Sequence, residues 1–175
     1  MTKTRNGFTL IEIVITLAIM SILGIAISQL FNFTYRTNTS INDSAEYQAD
    51  AQNTMQNIQN ELKYANSITI DSNAPTEIVS GTKYLYVSGG IPKKNQGASL
   101  SDAVSIVSLK TGFISVLTFK KSSNKSVEII VDILKNGTKV YTLDTNVNLN
   151  NMILNSVSGA PQGLSIEYTQ LSRNQ

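Results

Sequence analysis

The sequence predicts an α+β protein in which one long N-terminal helix packs, by its second half, on a C-terminal antiparallel β-sheet. Three observations lead to this fold class. The block 8–31 is almost wholly apolar, apolar side chains recur every three or four residues from Tyr47 to Ala65, and a period of about two begins at Ser67. A helical pattern followed by a run of strand patterns is typical of α+β folds.

The apolar block 8–31 contains a single ionisable side chain, Glu12. A helix of roughly 20 mostly apolar residues can cross the hydrocarbon core of a bilayer, so this block is long enough to span it. The basic residues Lys3 and Arg5 precede the block. The positive-inside rule then predicts a single-pass membrane protein with its N-terminus in the cytoplasm and its remainder outside.

The second half of the predicted helix, residues 32–65, is amphipathic. One apolar stripe has the spacing of a helix face; it consists of Tyr47, Ala51, Met55, Ile58, Leu62 and Ala65. No proline occurs before Pro75, so a continuous helix Phe8–Ala65 is predicted. The run 38–43 consists mostly of poor helix formers and is the expected place for a bend.

Residues 66–175 are predicted to form a β-rich globular domain. The strand-like runs have the β-branched and aromatic content of half-buried strands; they are Ser67–Asp71, Lys83–Val87, Val104–Leu109, Phe113–Lys120, Val127–Leu134, Lys139–Leu143 and Leu164–Gln170. Asn136-Gly137 predicts a two-residue hairpin turn, and 122–125 a second turn. The stretch Ser88–Ser101 is predicted to be an irregular loop, and 146–155 is compatible with a strand or a loop.

The composition excludes several classes of function. With no cysteine and no histidine, the chain has no disulfide, no Cys/His zinc site and no Ser–His or Cys–His relay. The scattered acids lack calcium-loop spacing, so we predict a non-enzymatic protein without a metal or cofactor. From residue 8 onward 12 Lys and Arg balance 12 Asp and Glu, which disfavours DNA as a partner. Two small basic clusters, Lys93-Lys94 and Lys120-Lys121 with Lys125, are interpreted as solvated loop tips.

Three interpretations of the N-terminus compete. It can be a Sec signal peptide, with Ala26-Ile27-Ser28 as a small-x-small cleavage site that releases the chain from Gln29 onward. It can be a plain membrane anchor. Alternatively, the carboxylate of Glu12 is there for a partner, because a charge inside an apolar membrane segment costs a few kcal/mol and is usually functional.

The order of residues at the start favours the third interpretation. Gly7-Phe8-Thr9-Leu10-Ile11-Glu12, preceded by Lys3 and Arg5 and followed by the apolar run, resembles the type III leader of type IV prepilins and pseudopilins. The resemblance implies that a prepilin peptidase removes the leader 1–7 by cutting between Gly7 and Phe8, and then N-methylates Phe8. It also implies the pilin fold, and a role for Glu12 in pairing with the terminal amine of a neighbouring subunit.

Physical chemistry is consistent with these implied roles. Gly7 lets an extended backbone approach a peptidase cleft closely. The new Phe8 amine is a cation at an apolar helix end, and Glu12 is an anion four residues later. Buried charges are tolerated when they are paired, so pairing between subunits would fix their axial register.

The resemblance also narrows the predicted function. Residues 47–66 and 163–168 resemble the end of the helix and the final strand of W-type minor pilins and J-type secretion pseudopilins. The chain lacks the proline that most major pilins have near Gln29, and it cannot form their C-terminal disulfide loop. We therefore predict a minor subunit that initiates, caps or decorates a type IV pilus or related filament outside the cell.

The implied partners are the prepilin peptidase, other pilins contacted through the N-terminal helix, and a membrane assembly platform. The alternative function is a Sec-secreted or bitopic surface protein that binds or adheres without polymerising. Twitching, adhesion, secretion and competence (DNA uptake) remain equal options, because their filaments share this N-terminus.

Overall fold

The computed structural model describes residues 8–151 and 156–170. By its internal contacts the chain divides into two compact units, one up to Ala45 and the other from Glu46 onward. The predicted leader 1–7 and part of the undecided stretch 146–155 lie outside the described residues. The predicted domain boundaries, at 7/8 and 65/66, stay predictions.

One helix, α1, runs from Leu10 to Leu62. The predicted helix Phe8–Ala65 is therefore slightly too long at both ends, because Phe8 and Thr9 precede α1 and Ala65 begins the first strand. The run 38–43, expected to bend, is helical throughout. Its polar side chains do not interrupt the backbone pattern; Thr39, for example, bonds back to the Tyr35 carbonyl within the helix at 3.0 Å.

In the first unit every side chain from Phe8 to Asn42 is exposed. The large apolar residues of this part lie all around the helix and remain 45–84% exposed. A helix that is apolar on all sides is typical of a membrane span or of a helix covered by other chains.

In the second unit α1 buries one face only. The buried residues are Ala51, Thr54, Met55, Ile58 and Leu62, and Tyr47 packs partly buried against the same core. The predicted apolar stripe is thus confirmed. Thr54 is buried among apolar residues because its hydroxyl donates to the Asp50 carbonyl at 2.8 Å, which leaves it no unsatisfied donor.

Within the described part of the chain, ten strands form two sheets. In chain order they are β1 (Ala65–Asp71), β2 (Lys83–Ser88), β3 (Ile91–Asn95), β4 (Val104–Ser105), β5 (Phe113–Ser123), β6 (Ser126–Lys135), β7 (Thr138–Asn148), β8 (Ser158–Gly159), β9 (Gln162–Gly163) and β10 (Ser165–Gln170). The order is β4-β3-β2-β10-β1-β8 in the first sheet and β7-β6-β5-β9 in the second. All pairs are antiparallel except β1 with β8, which is parallel.

The prediction of one helix followed by antiparallel strands is confirmed, but the single predicted sheet is two. The final strand, β10, lies between β1 and β2 in the first sheet. Buried residues of α1 and of both sheets form one continuous core. The helix face and both sheets therefore contribute to a single core.

Local turn chemistry explains the hairpins. Asn136 and Gly137 have φ values of 51° and 78°, so the predicted two-residue turn between β6 and β7 is confirmed. The predicted turn at 122–125 is also found, with Ser123 pairing to Ser126 across it. The undecided stretch is strand as far as Asn148.

Two strand assignments were wrong. The predicted loop Ser88–Ser101 contains β3, because Gly89 and Gly90 adopt positive φ and form a tight turn that pairs Ser88 with Ile91. The predicted strand Val104–Leu109 is only the two residues of β4. Beyond it the Ile106 carbonyl accepts a bond from the Asn57 side chain of α1 at 3.0 Å, so the chain leaves the sheet there.

Candidate functional site

The first turn of α1 contains a reciprocal capping arrangement. Because α1 begins at Leu10, Thr9 is the N-cap residue and Glu12 is the third residue of the helix. The backbone N–H of Thr9 donates to Glu12 Oε2 at 2.8 Å, and the Thr9 hydroxyl donates to the same oxygen at 2.9 Å. The Glu12 backbone N–H in turn donates to Thr9 Oγ1 at 3.4 Å. These bonds satisfy amide groups that a helix start otherwise leaves without a partner.

The capping arrangement fixes the position of the Glu12 carboxylate. It lies at the positive end of the helix dipole, where an anion is stabilised, and it remains exposed to a cation from another molecule. Glu12 is predicted from the sequence as a functional residue, whereas the capping role of Thr9 was missed. The spacing Thr9-x-x-Glu12 before an apolar run is the usual signature of such a cap and could have revealed it.

The remaining predicted site residues are placed only in part. Phe8 is described, precedes the helix and is 84% exposed. Gly7, Lys3 and Arg5 lie outside the described residues, so cleavage at Gly7, methylation of Phe8 and pairing through Glu12 stay predictions. Among the described residues one helix, α1, is long and apolar enough to cross a membrane, and its most apolar stretch is entirely unburied.

A second polar cluster lies at the end of α1 in the second unit. We call it the Glu61 cluster; it consists of Glu61, Lys94, Tyr168 and Gln170. Lys94 Nζ lies 2.5 Å from Glu61 Oε1, and the Tyr168 hydroxyl donates to Glu61 Oε2 at 3.0 Å. The Gln170 side chain donates to the Glu61 carbonyl at 2.5 Å. One residue of α1 is thereby tied to β3 and β10 of the first sheet.

Two groups in the second unit have shifted pKa values. Burial raises the pKa of the Tyr168 phenol, and the negative charge of Glu61 raises it further. The pKa of Asp50 is also raised, chiefly by burial and then by the nearby carboxylate of Glu46, while the backbone N–H of Lys110 acts in the opposite direction. Lys110 Nζ lies 2.5 Å from Glu46 Oε2.

The other candidate residues behave as parts of the fold. Tyr84 and Tyr86, which share a face by their spacing, are both 4% exposed. Lys94 of the first basic cluster is paired in the Glu61 cluster, and Lys120 of the second lies 3.9 Å from Glu128. Within residues 8–151 and 156–170 no group of acidic side chains is arranged to hold a metal ion.

Two shallow clefts lie in the second unit. One, of about 230 Å³, lies beside the Lys94–Glu61 pair. The other, of about 530 Å³, is lined by the loop after β1 together with Tyr84 and Glu167.

Comparisons with known proteins bear on both parts of the chain. Residues 2–28 match the family model of the prokaryotic N-terminal methylation motif. No curated protein shows significant similarity to the chain. Among solved structures, the PilB minor pilin from Streptococcus sanguinis is similar over 73% of this chain, with a TM-score of 0.51 and 13% identity. A single-residue mutant of the same pilin is similar over 75%, with a TM-score of 0.53 and 15% identity.

The matched region covers 34% and 36% of those two chains, so this chain spans about a third of their length. At such low identity the similarity establishes the fold alone. The prepilin N-terminus identified from the sequence is confirmed by the motif, and the pilin fold is confirmed by the architecture.

Proposed function

We propose that this chain, with the N-terminal methylation motif of type IV prepilins and the fold of a minor pilin, is a minor subunit of a type IV pilus or related filament. It is made as a prepilin, cut between Gly7 and Phe8, methylated at Phe8, and moved from the membrane into the filament. There it initiates, caps or decorates the fibre. The same proposal includes a pseudopilin, in which case the filament belongs to a secretion system instead of a pilus.

One observation carries the proposal: an unburied, all-round apolar helix holds a single carboxylate in its first turn. Removing a large aliphatic or aromatic side chain from water stabilises a structure by about 1.5–3 kcal/mol. The side chains of this part remain 45–84% exposed within the chain. They need lipid before assembly and neighbouring helices after it.

Glu12 adds direction to that packing. Both Thr9 bonds go to Oε2, so the other carboxylate oxygen can accept the methylated Phe8 amine of a neighbour. A charge-assisted bond of this kind is worth more in an apolar filament core than in water. It would favour one axial offset between subunits, because any other offset leaves two charges buried and unpaired.

The proposed partners and location follow from this role. A prepilin peptidase acts on the leader, an assembly platform extracts the subunit, and other pilins pack against α1. The chain lies in the cytoplasmic membrane with its N-terminus inside, and the second unit lies outside. DNA is not a favoured ligand because the chain from residue 8 onward has no net charge.

N-terminal processing tests the proposal directly. Co-expression with a prepilin peptidase should give a mature chain that begins with N-methyl-Phe8, as read by mass spectrometry of its N-terminal peptide. Gly7→Leu should block cleavage, whereas Gly24→Leu should not, because Gly24 lies far from the cleavage site and a Cβ added there meets nothing within 4 Å. A mature chain beginning at Gln29 would instead identify a Sec-secreted protein.

Filament entry tests the role of Glu12. Glu12→Ala should leave the chain in the membrane and absent from the sheared filament fraction. Glu46→Ala is the matched control, since it removes another acid of α1 that already pairs with Lys110. Normal filament entry of the Glu12 variant would refute the role of Glu12, and absence of the parent chain itself from the filament fraction would identify a bitopic protein that does not polymerise.

A further inference from the structure

Three exposed aromatic residues lie within five positions at the C-terminal end of the apolar part of α1. We call Phe31, Phe33 and Tyr35 the aromatic belt; they are 72%, 68% and 76% exposed. The sequence has no other aromatic residue after Phe8 until Tyr47. Arg36, which is also exposed, is the first charged residue after Glu12.

The belt occupies two opposite sides of the helix instead of one face. At about 100° per residue, Phe33 points about 160° away from Phe31 around the axis, while Tyr35 lies within about 40° of Phe31. A surface that docks on one partner is expected to present its aromatics on one side. A set distributed around the axis, next to a cation, is typical of a membrane–water interface, where aromatic side chains are enriched.

We infer that the aromatic belt, with Arg36, anchors the outer membrane interface and sets the depth of α1 so that Glu12 lies at the inner edge of the hydrocarbon core. The inference rests on the membrane-inserted state in the proposed function. Phe33 follows Glu12 by 21 residues, which corresponds to about 32 Å along the helix. The hydrocarbon core is about 30 Å thick, so the two residues reach opposite edges together.

The depth of α1 determines at which step the free-energy cost of burying the Glu12 charge arises. At the inner edge the carboxylate keeps its bonds to Thr9 and contact with water and headgroups, so the inserted subunit is not strongly destabilised. The charge loses water only when the subunit is pulled outward. The need for a partner amine therefore arises during extraction, not during storage in the membrane.

The composition of the chain makes depth measurable, because it has no Trp and no Cys. The full chain in phosphatidylcholine vesicles can carry one Trp, as Phe33→Trp or Leu23→Trp, and be quenched by lipids brominated at known depths. Phe33→Trp should be quenched most by bromines nearest the headgroups. Leu23→Trp, about 15 Å away along the helix, should be quenched most by bromines near the chain ends.

A second probe reports the position of Glu12. A nitroxide attached to Ile13→Cys should collide readily with a water-soluble relaxation agent. Replacing the three belt residues by Leu should raise that collision rate several-fold relative to oxygen, because leucines at 31, 33 and 35 prefer the hydrocarbon core to the interface and their inward movement carries residue 13 toward the cytoplasmic side. Far-UV circular dichroism of the triple variant should match that of the parent, since none of the three residues is buried.

Two results would overturn the inference. One is equal quenching profiles for Phe33→Trp and Leu23→Trp; the other is an unchanged nitroxide depth in the triple-Leu variant. If that variant also failed to enter filaments at unchanged depth, the aromatics would be a protein-docking surface. The vesicle measurements need no assembly machinery, so a failure of the proposed filament function leaves the depth result interpretable.

Discussion

Removing the Tyr168 hydroxyl should destabilise the second unit by an amount that the structure allows us to estimate. Tyr168 is 0% exposed, and its hydroxyl donates to a charged carboxylate oxygen of Glu61 at 3.0 Å. A hydrogen bond to a charged group contributes about 1.5–3 kcal/mol. The Glu61 side chain keeps 22% of its exposure and its contact with Lys94, so water replaces part of the lost bond. Tyr168→Phe should therefore lower the free energy of unfolding by about 1.5 kcal/mol.

The measurement is urea unfolding of the full chain in detergent micelles, followed by near-UV circular dichroism. Tyr84→Phe is the matched control. Tyr84 is also buried, at 4% exposed, but its hydroxyl accepts one longer bond, from the Val79 backbone N–H at 3.3 Å. Because that bond involves no charge and the Val79 side chain is 59% exposed, its loss should cost about 0.5 kcal/mol.

A double-mutant cycle then tests the mechanism. If the phenol stabilises the fold through the Glu61 charge, Tyr168→Phe should cost clearly less in a Glu61→Gln background than in the parent. Equal losses in both backgrounds, or a loss no larger than that of Tyr84→Phe, would refute the assignment of Glu61 as the acceptor that matters.

Three further outcomes are expected from the same unfolding assay. Gly163→Ala should lower the free energy of unfolding by about 3 kcal/mol, because the new methyl group meets the backbone of Asp71. Gly112→Ala has open space around the new methyl group and only a positive φ of 89°, so it should cost about 1 kcal/mol. Equal losses in the two variants would show that the close contact is unimportant. Ser115→Ala should be neutral or stabilising by up to about 1 kcal/mol, since the buried Ser115 hydroxyl has no hydrogen-bond partner in the structure, and a clear loss would show that it has one in solution. Burial and the Glu61 charge raise the pKa of Tyr168 in the folded protein, so the stabilising contribution of Tyr168 is complete below about pH 10, where the unfolded phenol ionises, and falls as the pH rises further. Tyr168→Phe should reduce that loss of stability at alkaline pH. An unchanged dependence of stability on pH would contradict the raised pKa of Tyr168.

The local sequence pattern predicted the helix, strands and turns better than it predicted which strands and side chains contact one another. The apolar stripe of α1 and the Asn136-Gly137 turn depend on neighbours within four residues, so the sequence is sufficient to place them. The same is true in principle of Gly89-Gly90, whose two positive φ values make a tight hairpin. Pro92 has no backbone N–H to donate, which makes a strand at that position less expected. The structure accommodates Pro92 because β4 pairs only with Lys93 and Lys94 of β3, while the Pro92 carbonyl still accepts the Ile106 N–H.

The partners of strands and of polar side chains are a different problem. Strand β10 lies between β1 and β2, yet its pairing residues are about a hundred positions from those of β1. The alternation of apolar and polar side chains does not specify which strands pair. It indicates which face of a strand is buried, but not which other strand lies next to it. Glu61 is likewise visible in the sequence only as an acid near the end of a helix; its contacts with Lys94 and Tyr168 come from the tertiary fold.

Two carboxylates of the same helix illustrate how one element can serve folding and assembly separately. Glu61 is held by side chains of its own unit, so substitutions there should change the free energy of unfolding. Among the described residues Glu12 bonds only to Thr9, at the start of the helix, and its loss removes no contact from the core. The apolar pattern of α1 shows the same division. Its first part is apolar on all sides and is stabilised by what surrounds the chain, whereas its second part has one apolar stripe and is stabilised by the chain itself. A variant at Glu12 that folds normally but never enters a filament is therefore the outcome that this division requires.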